Sequence, residues 1–290
     1  MNTAPSTNVS VIPAVGPLRH AVRDAKQKGL TVGFVPTMGA LHAGHRQLIE
    51  TARRECGFVV VSIFVNPLQF DRPDDLARYP RTLDADQALC SSAGVDVIFA
   101  PSVEALYPRE QKTFVDVPDL TRNLCGEFRP GHFRGVATVV LKLFGIVQPD
   151  RAYFGQKDAQ QLAVIQCMVE DLNVPVAIIP VPTVREPDGL ALSSRNKHLS
   201  AAERQIAPAL YRALALASGR IASGERSVHA VREKALQFLR RHPELKIEYF
   251  EVVDPVTLEP LQHLSGRVLI ATAAWLGQTR LIDNVLSNSE

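Results

Sequence analysis

The sequence has little net charge and no long apolar run, and each of these scarcities excludes a class of protein. Its 290 residues include 32 Lys and Arg and 30 Asp and Glu, which gives a formal net charge of +2. Such a balance argues against a broad surface for nucleic acid, although it is compatible with a local basic pocket. The apolar run from Phe58 to Val65 has the length of a strand and falls far short of the roughly 18 residues of a membrane span.

Cysteine is also scarce, and the N-terminus lacks the features of an export signal. The four cysteines are widely spaced and form no C-x-x-C pair, namely Cys56, Cys90, Cys125 and Cys167. This spacing favours reduced thiols in a cytoplasmic protein over a disulfide framework or a zinc site. Met1 to Ser10 has neither the basic start nor the apolar core of a signal peptide, so we expect a frayed tail.

Two common nucleotide-binding signatures are missing as well. The chain contains no G-x-x-x-x-G-K-[ST] loop, which excludes a P-loop NTPase. No G-x-G-x-x-G follows a predicted strand, which weakens the case for a dinucleotide-dependent dehydrogenase. The absence of an internal repeat argues against a solenoid or a propeller.

What the sequence does have is an alternation of apolar strands and helices through residue 182. This alternation predicts βαβ units, and therefore a Rossmann-like parallel sheet in an N-terminal domain, residues 1–182. We expect Pro36 to stop the first strand and Pro180 and Pro182 to interrupt the last one. The predicted strands are 31–35, 58–65, 95–99, 152–154 and 176–181, and the predicted helices are 18–28, 46–55, 83–92, 135–147 and 159–172.

After residue 182 the pattern changes to helices followed by strands. Two alanine-rich helices are predicted over 201–223 and 228–241, and strands over 246–253, 268–274 and 280–285. This order predicts a smaller α+β domain over residues 183–290. We expect that domain to act as a lid that excludes water from the site.

Polar residues follow the predicted parallel strands, and ligands of open α/β sheets bind beyond the carboxyl ends of such strands. We therefore expect one cleft to receive four polar segments, which are 36–45, 66–70, 155–161 and 184–195. In the first segment, His42 and His45 stand at the predicted start of a helix, where free N–H groups and the helix dipole favour an anion. The alternatives are ordinary helix-start histidines or a metal site, and a metal site has too few ligands here.

The later segments supply further cations and hydroxyls. Lys157 suits phosphate oxygens, but a lone lysine is more often a solvated surface residue. Ser193, Ser194 and Arg195 suit a triphosphate, although loops of this composition are common.

The combination of an H-x-G-H helix start with a later basic, serine-rich loop resembles the nucleotidyl-transferase superfamily, which includes class I aminoacyl-tRNA synthetases and cytidylyltransferases. Longer motifs resemble the pantoate–β-alanine ligase family over nearly the whole chain. They are VPTMGALHAGH (35–45), VSIFVNPLQFDRPDDLARYPR (61–81), RPGHFRG (129–135), YFGQKDAQQ (153–161), DGLALSSR (188–195) and AAWLGQTRLIDN (273–284). The resemblance implies that ATP and pantoate form pantoyl adenylate with magnesium, and that β-alanine then gives pantothenate and AMP.

The resemblance also implies roles for individual residues, with His45 as the proton donor and His42 and Lys157 as further catalytic groups. Gln69 and Gln161 are implied to hold pantoate, Arg129 to act as a phosphate or loop residue, and Asp86 to help hold magnesium. A homodimer is typical of the family. The implied ATP contacts are Met38, Gly39, Ala40, Leu41, His42, Ala43, Gly44, His45, Gly155, Gln156, Lys157, Asp158, Val184, Leu192, Ser193, Ser194 and Arg195.

One residue departs from the family's usual pattern, and other functions remain open. The family usually has glutamate where this chain has Gln156, which keeps an acceptor oxygen but loses the charge. The change matters only if the charge orients Lys157 or a metal-bound water. The alternatives to a ligase are a nucleotidyltransferase acting on a phosphate-bearing alcohol, a non-catalytic adenylate-binding module and an RNA-binding synthetase fragment, which the near-neutral charge disfavours.

Overall fold

The structure is a computed structural model that describes residues 9–289. The described residues form two compact units. The first comprises the chain up to Val117, together with Gly131–Gln156 and Val164–Pro182. The second comprises Pro118–Pro130, Lys157–Ala163 and the chain from Thr183 onward. Most of the predicted N-terminal tail, residues 1–8, lies outside the described residues.

A six-stranded parallel sheet forms the centre of the first unit. Its spatial order is β1-β4-β3-β2-β5-β6, with every recorded pair of neighbours parallel. In β3, Val59, Val60 and Val61 are all fully buried, as expected for a strand that is covered on both faces. The strands are β1 (Ser10–Ile12), β2 (Val32–Thr37), β3 (Phe58–Ile63), β4 (Val97–Phe99), β5 (Arg151–Gly155) and β6 (Ala177–Val181).

Eleven α-helices lie within the described residues, and those of the first unit cover both faces of its sheet. On β2, Val35 packs with Leu48 and Ile49 of α2, whereas its neighbour Phe34 meets the ring of Phe144 of α7 edge-on. Successive side chains of a strand point to opposite faces, so α2 and α7 lie on opposite sides. The helices are α1 (Val15–Gln27), α2 (Ala43–Glu55), α3 (Pro73–Arg78), α4 (Leu83–Ser92), α5 (Val103–Leu106), α6 (Cys125–Phe128), α7 (His132–Val147), α8 (Ala159–Asp171), α9 (Ala201–Ile206), α10 (Ala209–Ala222) and α11 (Val228–Leu239).

The strand order creates a switch point between β2 and β5. From β2 the chain moves outward to β3 and β4, and it then returns to place β5 on the other side of β2. At such a point the connections leave in opposite directions, which opens a crevice beyond the carboxyl ends of the strands. The chain segments that follow Thr37 and Gly155 therefore start at neighbouring positions on one edge of the sheet.

The second unit is built on an antiparallel sheet of β7 (Leu245–Val253), β8 (Gly266–Leu276) and β9 (Thr279–Ser289), in that order. Helices α10 and α11 pack against this sheet, and fully buried residues such as Leu214, Phe250 and Ile270 form the core between them. The predicted architecture of a Rossmann-like parallel sheet with a separate, smaller α+β domain is confirmed. No helix within residues 9–289 is long and apolar enough to cross a bilayer.

Two prolines, Pro36 and Pro180, lie within strands of the parallel sheet. Pro36 does not stop the first strand, because β2 continues to Thr37. Phe64 N donates to Thr37 O, and Asp150 N donates to Val32 O, so the N–H position of residue 36 faces β5. The recorded pairing with β5 covers only Gly33 and Phe34, so the missing donor costs no ladder bond. Pro180 does not interrupt β6, which is an edge strand and tolerates proline, whereas β6 ends at Val181, directly before Pro182 and at the predicted residue.

Two other elements also differ from prediction. The helix predicted over 201–223 is two helices, α9 and α10, because Pro208 between them lacks an N–H and opens α10 as its N-cap. Ser10 was assigned to the frayed tail but begins β1, which pairs with β4 at the edge of the sheet. Helix α7 begins at His132, three residues earlier than predicted, so most of the RPGHFRG motif lies at a helix start.

Candidate active site

The two histidines of the H-x-G-H segment form the first turn of α2. His42 is the N-cap and its Nδ1 accepts from Gly44 N at 3.1 Å, while Nδ1 of His45 accepts from His42 N at 3.3 Å. The ring centroids are 4.1 Å apart. Because each Nδ1 accepts a hydrogen bond, the proton of the neutral ring lies on Nε2. Both histidines therefore cap the helix, and each carries an Nε2–H donor that suits an anionic oxygen.

The loop between β2 and these histidines is shaped by a buried carboxylate. Gly39 has a φ of +82° and Ala40 a φ of +52°, a region that non-glycine residues rarely adopt. Asp86 is 2% exposed, and its two oxygens accept from Ala40 N at 3.0 Å and from Leu41 N at 2.7 Å. Thr82 also donates to Oδ1 at 3.3 Å. The carboxylate thus holds the backbone of the loop in its unusual conformation.

Gln69 is fixed by a polar network in the same unit. Asn66 Nδ2 donates to Gln69 Oε1 at 3.1 Å, and Gln69 Nε2 lies 3.1 Å from Met38 Sδ. Tyr107 donates to Asn66 Oδ1 at 2.9 Å, and burial raises the pKa of Tyr107 to about 12, so it remains a donor at neutral pH. His132 Nδ1 lies 2.7 Å from Gln69 O. The Gln69 side chain and backbone are therefore held by contacts with other protein groups.

A close approach of backbones places Gln69 against the start of α7. Gly135 of α7 faces the turn Pro67–Gln69, and a Cβ at residue 135 would lie 2.2 Å from Leu68 O. Asn66 Nδ2 also donates to Gly135 O at 3.2 Å. Only glycine allows this packing, which explains why the RPGHFRG motif ends in one.

The segment after β5 is a single 3-10 turn, Gln156–Asp158. The Lys157 side chain is 17% exposed and its Nζ lies 3.9 Å from Asp158 Oδ2, so it is not the solvated lysine of the alternative interpretation. Asn284 Nδ2 donates to Lys157 O at 2.8 Å and fixes the backbone from which the ammonium extends. Gln156 is half-buried.

The segment 184–195 is a tight hairpin in the second unit. Leu192 N donates to Val184 O at 3.0 Å, and Glu186 N donates to Leu190 O at 2.8 Å. Ser193 then caps a 3-10 turn, Ser194–His198, by accepting from Arg195 N at 3.3 Å. These hydrogen bonds place Ser193, Ser194 and Arg195 at a defined corner where the hairpin ends.

Gln160 ties another segment of the second unit to the start of α8. It is 6% exposed, its Oε1 accepts from Cys125 N at 2.9 Å, and its Nε2 donates to Leu120 O at 2.9 Å and to Asn123 O at 2.8 Å. Gln161 follows on the same helix and is half-buried. Arg129 is the C-cap of α6, close in sequence to the segment that Gln160 holds.

No group of three or more His, Cys, Asp and Glu side chains in the described part of the chain has the arrangement of a metal site. Asp86 is ill suited to the implied role of a magnesium ligand in this conformation, because it is 2% exposed and its oxygens already accept from Ala40 N, Leu41 N and the Thr82 hydroxyl. Magnesium at ATP sites commonly depends on substrate phosphates and on few protein carboxylates.

The fold and the first unit's site are those of an α/β enzyme, in which a helix start whose N–H groups suit an anion lies at the switch point of a parallel sheet. A sequence model described as "Pantoate-beta-alanine ligase" matches residues 10–286. The chain belongs to the pantoate–β-alanine ligase family, which confirms the prediction of an enzyme that forms a C–N bond.

Individual relatives agree with this assignment. The chain is 54% identical to the pantothenate synthetase of Moorella thermoacetica, covering 96% of this chain and 98% of that protein. It is 49% identical to the solved pantothenate synthetase of Thermus thermophilus, with a TM-score of 0.91 over 96% of this chain and 99% of that one. A Francisella tularensis pantoate-beta-alanine ligase solved with beta-gamma ATP and β-alanine is 36% identical, with a TM-score of 0.79 over 96% and 97% of the two chains.

Several residues that build the site were given no individual role from the sequence, although Asn66 and Arg185 lie in polar segments that were predicted to enter the cleft. Asn66 and His132 orient Gln69, and Arg185, Asp283 and Asn284 hold the backbone of the hairpin and of Lys157. All except Arg185 lie inside the motifs that carry the family resemblance. The motifs could therefore have indicated them, but their partners are distant in sequence and only the folded chain reveals the contacts.

Proposed function

We propose that the chain condenses pantoate with β-alanine in two steps that consume ATP. The pantoate carboxylate attacks the α-phosphorus of ATP and pyrophosphate leaves, which forms pantoyl adenylate. The β-alanine amine then attacks the acyl carbon, AMP leaves, and loss of an amine proton completes the amide bond of pantothenate. The observation that carries this proposal is the His42 and His45 pair, held by α2 at the switch point of the sheet.

The proposal assigns cationic and N–H groups to a reaction in which two anions meet. His42 and His45 would donate from Nε2 to phosphate oxygens, and Lys157 would contribute its ammonium as charge builds on the leaving pyrophosphate. We place ATP against Met38–His45, Gly155–Asp158, Val184 and Leu192–Arg195. Arg129 is assigned to the phosphates or to the loop that carries it.

Pantoate is assigned to neutral amides. Gln69 and Gln161 suit its hydroxyls and carboxylate without neutralising the nucleophile. The buried network of Asn66 and Tyr107 supports this assignment, because a preoriented amide loses less entropy when substrate binds.

We further propose that magnesium arrives with ATP and that the phosphates supply most of its ligands. Asp86 is assigned to the loop backbone and not to the metal. A cytoplasmic homodimer is proposed from the family resemblance, and sedimentation of the purified protein tests its oligomeric state. The lid role of residues 183–290 stays a prediction.

The decisive experiment is exchange of label between pyrophosphate and ATP in the absence of β-alanine. We expect exchange that requires pantoate, and AMP release only when β-alanine is added. His45→Ala should abolish the exchange, whereas His20→Ala, which removes an exposed histidine of α1, should leave it unchanged. Absence of pantoate-dependent exchange in active protein would remove the adenylate step. Preference for another nucleotide without AMP release would favour a nucleotidyltransferase.

A further inference from the structure

Two neighbouring residues of β9, Asp283 and Asn284, contact two separate segments of the second unit. Both are buried, with 5% and 8% of their surface exposed. They end the AAWLGQTRLIDN motif, to which the proposed reaction gives no role. One contacts the base of the 184–192 hairpin and the other contacts the backbone of Lys157.

Asp283 forms a bidentate ion pair with Arg185 of the hairpin. Arg185 Nη1 lies 2.6 Å from Oδ2 and Nη2 lies 2.9 Å from Oδ1, and this parallel geometry is directional as well as strong. The same guanidinium donates to Gly189 O at 3.1 Å and to Asn284 O at 3.2 Å. It also lies 4.0 Å from the centroid of the Tyr211 ring. Arg185 thus fastens the hairpin to both β9 and α10.

The packing around this ion pair leaves the hairpin little freedom. Gly189 has a φ of +95°, and a Cβ at that residue would lie 2.3 Å from the Tyr211 ring. The 3-10 turn Ser194–His198, which follows the hairpin, packs against β9. The positions of Ser193, Ser194 and Arg195 therefore depend on the strand that carries Asp283.

Asn284 connects β9 to the backbone of Lys157. Its Nδ2 donates to Lys157 O at 2.8 Å, and its backbone N donates to Asp283 Oδ1 at 2.8 Å. The Asp283 carboxylate thus accepts from the Arg185 guanidinium and from the backbone N–H of Asn284, whose side chain binds the Lys157 carbonyl. Asp283 and Asn284 therefore link the hairpin to the backbone of Lys157.

We propose that Asp283 and Asn284 are positioning residues. They set the distance between the 3-10 turn Gln156–Asp158 and the corner formed by Ser193, Ser194 and Arg195, and thereby the affinity for the triphosphate of ATP. The inference rests on the proposed function, which assigns both segments to ATP. Neither residue contacts a reacting atom in this scheme. Their loss should therefore act on ATP and leave pantoate, which is assigned to Gln69 and Gln161, nearly unaffected.

The test compares KM values for ATP and for pantoate in the pyrophosphate exchange reaction. Asn284→Asp keeps the size of the side chain but turns a carboxylate toward Lys157 O. Arg185→Lys keeps the charge but loses the bidentate pair that the guanidinium forms with Asp283. Because a misplacement of about 1 Å can cost about 10²-fold, we expect the KM for ATP to rise by roughly tenfold or more in each variant. The KM for pantoate should stay within about threefold. Asp283→Asn is a third variant, and thermal unfolding shows whether it folds.

Glu251→Gln is the matched control. Glu251 lies on β7 of the same sheet, and its Oε1 is 2.8 Å from Nη2 of Arg232 on α11. The substitution removes this ion pair. This loss should leave both KM values unchanged. Folded Asn284→Asp and Arg185→Lys with a wild-type KM for ATP overturn the inference, as does an equal rise in both KM values.

Failure of the proposed function gives a different result. If wild-type protein shows no pantoate-dependent exchange, or if Lys157→Ala is normal, the assignment of the segments to ATP is wrong and the inference is overturned with it. If wild type exchanges and Lys157→Ala is impaired while the β9 and Arg185 variants are normal, only the positioning role is wrong.

Discussion

Oδ1 of Asp86 accepts a hydrogen bond of 2.7 Å from Leu41 N, which joins α4 to the loop that leads into the histidine pair. The other oxygen accepts from Ala40 N, whose residue has a φ of +52°. A residue held in this region costs about 1 kcal/mol or more and persists only when its surroundings determine it. The Asp86 carboxylate therefore stabilises the loop between β2 and α2.

Asp86→Asn should destabilise the protein and weaken ATP binding without changing its magnesium requirement. The asparagine side chain has an NH₂ group in place of one carboxylate oxygen. That group would face the backbone N–H of Ala40 or Leu41 in a buried site. We expect a loss of about 2–3 kcal/mol in the free energy of unfolding, measured in urea. Asp84→Asn on the same helix is the control, since Asp84 is exposed. A selective rise in the magnesium concentration for half-maximal activity would instead identify Asp86 as a metal ligand.

Gly135→Ala should displace the turn that carries Gln69. The added Cβ would lie 2.2 Å from Leu68 O, so the backbone of the turn or of α7 must move. We expect the KM for pantoate to rise about tenfold or more, with little change in the KM for ATP. Gly145→Ala is the matched control on α7, because nothing lies within 4 Å of its Cβ position. That variant should stabilise the helix by up to about 1 kcal/mol, as judged by thermal unfolding.

Lys157→Ala should slow adenylation and spare folding. Removing one donor from a charge-stabilising site typically costs about 10²–10³-fold, and we expect that loss in the pyrophosphate exchange rate. Lys246→Ala, which removes an exposed lysine of β7, is the control and should exchange at the wild-type rate. A near-normal rate for Lys157→Ala contradicts the assigned role.

Stability should fall in alkaline solution partly because of one buried thiol. Cys90 is fully buried, and its burial, assisted by the negative charge of Asp86, raises its pKa from 9.0 to about 12. Between these values the unfolded thiol ionises while the folded one keeps its proton, so stability declines as the pH rises. The contribution is up to about 1.4 kcal/mol per pH unit.

Urea unfolding of wild type and Cys90→Ala at about pH 8 and about pH 10.5 measures this contribution. The variant should lose less stability than wild type over that range, whatever its absolute stability at the lower pH. Equal losses in the two proteins would show that the thiol does not contribute.

The sequence by itself determined the two kinds of sheet and the family. Runs of β-branched residues such as Val59 to Val61 favour a strand buried on both faces, and the H-x-G-H segment marks a helix start through local hydrogen bonding. These signals are local, because they depend on side-chain period and on cap chemistry within a few residues.

Only the tertiary structure decided which polar side chains hold the site in place. The family resemblance implied that Asp86 helps to hold magnesium, yet its oxygens contact the backbone of residues 40 and 41. The partners Arg185 and Asp283 are 98 residues apart in sequence. Whether Pro36 is tolerated depends on which neighbouring strand its N–H position faces and on how far the pairing with that strand extends. Contacts between residues so distant in sequence form only when the whole chain packs. Neither therefore follows from the local pattern of the sequence.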